Sequence, residues 1–165
     1  MIETLDRITA RIDRVLLVIG CLFLAVMMIQ ITVDVLLRAI FNASVPVTLE
    51  TVSYYYMIFA VFLPLSYVER RNAHIKVDLF TQLMPERVQF ALHVLACLIG
   101  VGFFGALAYQ SFLDAVDATI KQQTVMSNFI FYIWPSRWAL PIGFAATCLA
   151  IINNMAAAVI QRRAL

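Results

Sequence analysis

Val15 to Leu37 reads VLLVIGCLFLAVMMIQITVDVLL, and its single acid, Asp34, comes only near its end. As a helix, a run of about 23 residues rises roughly 34 Å, enough to cross a hydrocarbon core of about 30 Å. Three further runs of comparable length follow, Leu49 to Val68, Val88 to Tyr109 and Trp138 to Ile160. The chain is 63% hydrophobic and 13% charged over 165 residues, too apolar for a soluble bundle to hide internally. The expected fold is therefore an all-α integral membrane protein with four transmembrane helices, forming one membrane domain over residues 1–165.

Charge sets the expected orientation. An even number of spans puts both termini on one side. Arg7, Arg11, Arg14, Arg70, Arg71, Lys76, Arg87, Arg162 and Arg163 share that side, against Arg38, Lys121 and Arg137 on the other. The positive-inside rule then places both termini in the cytoplasm. The first span lacks a small-residue cleavage pattern and is too long for a secretory signal. Cys21, Cys97 and Cys148 lie in separate spans with no CxxC, and read as small buried apolar residues.

The connections carry their own patterns. Ile2, Leu5, Ile8 and Ile12 form an apolar strip opposite Glu3, Asp6, Arg7, Arg11 and Arg14, which predicts an interfacial helix entering the first span with a bend. Between the second and third spans, Ile75, Val77, Leu79, Phe80, Leu83 and Met84 interleave with polar residues up to Pro85. A short amphipathic helix is expected there. The outer link from Phe41 to Thr48 is turn-like. In the outer segment from Gln110 to Ser136 a helical face continues through Phe112, Leu113, Val116 and Ile120, followed by aromatic residues of the headgroup level around Pro135.

Helix faces predict packing. Gly143, Thr147, Ala150, Asn154 and Ala157 recur at spacings of 4 and 3, a seam of small and polar residues against which another helix should press. Span three offers Ala96 with Gly100 and Gly102 with Ala106. Span two carries Glu50, Ser53, Met57, Ala60 and Pro64 in the same rhythm. Gln30, Asp34 and Arg38 share one face of span one, and a charge in hydrocarbon costs a few kcal/mol on insertion scales, so these groups should be paired. Arg38 can bridge to Asp34 along its helix or to Glu50 across the hairpin. A structural ion pair is the favoured role, with an ion-coupling carboxylate as the competing one.

His74 and His93 are poorly placed for a haem between facing helices, and no phosphate loop, metal-ligand pair or nucleophile constellation occurs. The basic residues are topology determinants and contacts to membrane lipids, not a nucleic-acid surface.

Three stretches resemble the small membrane (Q) subunit of tripartite ATP-independent periplasmic (TRAP) transporters. They are Arg38 followed by Pro46 and Glu50, ERRNAHIKVD at 69–78, and WPSRWALPIG at 134–143. The resemblance implies a non-transporting, non-enzymatic scaffold that holds no cofactor of its own. It would brace a large membrane subunit that binds sodium ions and moves an organic acid by an elevator motion, the acid being delivered by a periplasmic substrate-binding protein. Arg70, Arg71, His74, Lys76 and Asp78 would form the cytoplasmic family motif. Gly143, Thr147, Ala150 and Asn154 would pack between helices, while Asp114, Asp117 and Trp134 would be available to the binding protein. A small homodimeric ion-coupled carrier and the membrane anchor of a redox enzyme are the alternatives.

Overall fold

A computed structural model describes residues 2–42, 48–71, 85–126 and 130–161. Four helical stretches within it are long and apolar enough to cross a membrane. Helix α1 (Ile2–Phe41) runs 40 residues, about 60 Å, so the expected interfacial helix and the first span are one uninterrupted helix. Asn42 ends it at φ 50°, donating its N–H to the Arg38 carbonyl, the left-handed termination that asparagine tolerates.

Span two is built in pieces: α2 (Thr48–Thr51), a π-helical turn (Val52–Tyr56), α3 (Met57–Phe62) and α4 (Leu65–Arg70). Pro64 causes the break, since it has no N–H to donate and its ring crowds the carbonyl four residues back. The helix restarts with the Tyr67 and Val68 N–H groups both donating to the Pro64 carbonyl, at 3.0 and 3.2 Å. The wider π turn also rotates the face that follows it. Ser53 and Met57, expected on the packed side, are exposed, while Leu63 and Ser66 are buried.

Helix α5 (Glu86–Ile120) is 35 residues long and carries the third span well past its apolar stretch. Its end is a Schellman turn: Gln122 sits at φ 43°, the Gln123 N–H reaches the Ala118 carbonyl, and the Gln122 N–H reaches that of Thr119. Where only interfacial aromatics were expected, the chain forms a β-hairpin, β1 (Thr124–Met126) paired antiparallel with β2 (Ile130–Tyr132), Val125 opposite Phe131. A short helix α6 (Trp134–Arg137) then leads into α7 (Ala139–Gln161), the fourth span. The amphipathic helix expected between spans two and three falls on 72–84, outside the described residues.

The four spans do not close into a symmetric bundle. Half of the apolar window of α7 is buried, against 11% for each of the first two spans and none for the third. Helix α7 touches α1, both halves of span two, and α5, whereas α5 packs chiefly on α7 and α6. The fourth span is the hub.

Candidate functional site: a polar-ended seam around the fourth span

The packed face of α1 runs Thr9, Asp13, Leu16, Gly20, Phe23, Met27, Gln30, Asp34, in alternating steps of 4 and 3. That mean period of 3.5 keeps one stripe on a neighbour crossing at a shallow left-handed angle of about 20°. Ile8 and Ile12 of the expected apolar strip lie on the outer side of the helix, 53% and 41% exposed, while Thr9 and Asp13 are buried. Polar residues thus occupy both ends of the stripe, with apolar and small residues between them.

At the end of the molecule that bears the chain termini, the Arg70 guanidinium lies 3.7 Å from the Asp13 carboxylate, whose side chain is 1% exposed. Asn154 Nδ2 donates to the Glu69 carbonyl at 3.0 Å, satisfying one of the last acceptors of α4. The side chains of Thr9, Ser66 and Asn153 are buried at this level as well. Three spans are thereby tied around the short α4. Arg71 lies 5.4 Å over the Tyr67 ring. His74, Lys76 and Asp78 lie outside the described residues.

In the middle, the break in span two is gripped from both sides. A Cβ on Gly20 would come within 2.6 and 2.8 Å of the Pro64 ring, and one on Gly143 would collide with the Phe62 carbonyl oxygen. Leu16, Leu63 and Ala146 fill the core beside it, with Ile19 and Phe59 packed against them. Thr147 and Ala150 are fully buried, and the Thr147 hydroxyl donates to the Gly143 carbonyl at 2.8 Å. The seam expected on span four is therefore where span two presses closest. On α5, a Cβ added at Gly100 would meet Ile151 at 3.4 Å, but one added at Gly102 would meet nothing within 4 Å and Ala96 and Ala106 are exposed, so those small residues face away from the chain.

At the hairpin end, Arg38 Nη2 lies 2.8 Å from Asp34 Oδ2, with the two side chains 53% and 8% exposed. The pairing along the helix is formed, and Glu50 stands in the first turn of α2. Tyr56 donates to Gln30 Oε1 at 2.7 Å, and Phe23 stacks on Phe59 at 4.5 Å between centroids. Tyr55 donates to the Tyr132 carbonyl and meets the Phe131 ring edge-on, which seats the β-hairpin over the π turn. Trp138 Nε1 donates to Thr119 Oγ1 at 3.1 Å, joining the extension of α5 to the start of α7. Asp114 accepts from Gln110 and Asp117 pairs with Lys121, both exposed on the α5 extension, while Trp134 is half-buried at the start of α6.

Asp13 was the residue missed. Its signal was present: Asp13 lies four residues after Thr9 and three before Leu16, on the same stripe as Gly20 and Asp34. Cys21 is exposed, contrary to expectation, while Cys97 lies 3.7 Å from His93 and Cys148 the same distance from the Val101 carbonyl. Among the described residues, no three of His, Cys, Asp and Glu are grouped so as to hold a metal ion.

Residues 27–161 match the family model for Tripartite ATP-independent periplasmic transporters, DctQ component. Comparisons with curated proteins and with solved structures give no match. The matched stretch contains Arg70 but begins after Asp13, so the clamp at the termini end ties the preceding turns of α1 to the body of the match. With four membrane-crossing helices and a family match over most of its length, the chain belongs to the DctQ family, the small membrane components of TRAP transporters.

Proposed function

We propose that this chain is a scaffold that moves no substrate itself. Membership in the family makes it one component of a tripartite transport system and a multi-pass protein of the inner membrane, in a family of transporter parts rather than enzymes. In our reading both termini are cytoplasmic. The chain braces a larger, sodium-coupled elevator subunit during uptake of an organic acid handed over by a periplasmic binding protein, and any sodium is bound by that partner.

The observation that carries this reading is the sealed break in span two. Transporters commonly place an interrupted helix at a cavity, where freed backbone groups bind ion or substrate. Here the interruption at Leu63 and Pro64 is closed by Gly20 against the Pro64 ring and by Gly143 against the Phe62 carbonyl, with polar ties at the termini end from Asp13 and Asn154 and at the hairpin end from Tyr56 to Gln30. A joint packed this closely suits a fixed frame better than a moving gate. The two exposed acids of the α5 extension, together with Trp134 at the start of α6, offer the binding protein a polar, transient contact.

Reconstitution tests the reading. Liposomes holding this chain, the large membrane subunit, or both are given a sodium gradient, the binding protein and labelled organic acid. Uptake is expected only where both membrane subunits are present. Uptake by this chain alone would refute the scaffold and direct attention to Asp34 and Glu50, while haem absorbance in the purified chain would favour a redox anchor.

A further inference from the structure

We infer that the mouth of the first helical hairpin is a phospholipid site, with the lipid phosphate held by Arg38. A cavity of about 260 Å³ opens there between the last turns of α1 and the start of span two. Its lining is divided by chemistry. Arg38, its ion-pair partner Asp34 and Thr48 supply polar groups, whereas Ile31, Val35, Leu49 and Val52 supply aliphatic walls. Val35 and Leu49 are 57% and 74% exposed, so the cavity opens sideways to the surroundings of the bundle and not inward to α7.

The guanidinium is positioned before any ligand arrives. The buried Asp34 carboxylate holds one edge at 2.8 Å, and the Arg38 side chain remains 53% exposed. A guanidinium has five N–H donors in a fixed fork, so a single carboxylate leaves donors available for a second anion. Arg38 stands in the last turn of its helix, at headgroup depth, where the anion in greatest supply is phosphate diester. A phosphate on Arg38 with its first methylenes along Val35, Leu49 and Val52 satisfies both halves of the lining at once. An acidic side chain inserted by a neighbouring protein would satisfy only the polar half and leave the aliphatic walls uncovered. The site is built by this chain alone and stands whether or not the scaffold reading does.

The test uses the complex of this chain with its large membrane subunit, purified and washed in increasing detergent, with retained phospholipid counted by mass spectrometry. Arg38→Gln should lose one tightly held phospholipid per copy, and Arg38→Lys should hold it less firmly than wild type. Because Arg38→Gln strands the Asp34 carboxylate, Leu49→Trp provides a second arm: it fills the mouth from an exposed position, keeps the ion pair, and should lose the same lipid. Inorganic phosphate at millimolar concentration should not displace that lipid. Equal retention by wild type and Leu49→Trp overturns the proposal, as does displacement by inorganic phosphate, which would mark a plain anion site. Unchanged lipid with impaired assembly in Arg38→Gln also overturns it, in favour of a protein carboxylate as the occupant.

Discussion

The break in span two and the long helix α5 stand at opposite extremes of this molecule. Around Pro64, two glycines on different helices admit the proline ring and the Phe62 carbonyl to within contact distance, and the short α4 is held by Asp13 of α1 and by Asn154 of α7. Along the third span nothing in its most apolar window is buried, and Phe103, Ile99 and Leu98 are each more than half exposed. In lipid there is no hydrophobic penalty for that exposure, so close packing arises only where shape and polar partners reward it. The first region is a finished joint. The second is mostly a surface, joined to the rest of the chain along one line of contact with α7 through Gly100, Val101 and Phe104.

Gly143→Val should show the difference most sharply. The added atoms meet the Phe62 carbonyl, which is backbone and cannot turn aside, so destabilisation on the order of 3 kcal/mol is expected, seen as loss of folded chain in a denaturant titration in micelles. An unchanged midpoint would show that the joint can part without loss. Asp13→Ala comes next, at about 2 kcal/mol, below the range for a fully buried pair because Arg70 keeps some access to water. Arg70→Ala alone and the double variant complete a cycle, and a coupling near zero would remove the clamp from the account.

Trp138→Phe keeps the ring that meets Phe112 edge-on but removes the N–H given to Thr119, a loss of about 1 kcal/mol. Hydrogen exchange should then quicken at the end of α5 and leave α4 untouched. Smallest of all is Gly102→Ala, which enters open space and exchanges a poor helix former for the best one, so the isolated chain should be unchanged or firmer by up to about 1 kcal/mol. A fall in stability of the isolated chain would mean that this face is covered by the chain itself. A fall only in assembly with the large subunit would identify the face as an interface.

Much of this was legible beforehand, for reasons that particular residues make plain. The spans follow from length and apolarity alone. Asp34 and Arg38 were readable as neighbours because four residues make about one helical turn, and the Gly143 seam because small residues repeat on one side of α7. The break at Pro64 was harder, since a proline in a membrane helix often only kinks it. The π turn has no local signature among Val52 to Tyr56, and by adding a residue to one turn it moved Met57 off the face that simple periodicity assigned it. Asp13 was obscured by the stronger apolar strip of Ile8 and Ile12, which a lipid environment permits to face outward.

The amino-acid sequence by itself determined that this is a four-span membrane protein, because hydrocarbon thickness and the need to satisfy every backbone group leave few other outcomes. It also determined membership in the DctQ family, which a match over residues 27–161 carries without coordinates. Only the tertiary structure decided which faces of those helices meet. In a membrane, leucine against leucine and leucine against lipid are nearly equal in free energy. The choice therefore fell to the places where a glycine admits a carbonyl or a buried carboxylate meets an arginine, and those pairings join residues far apart in the chain.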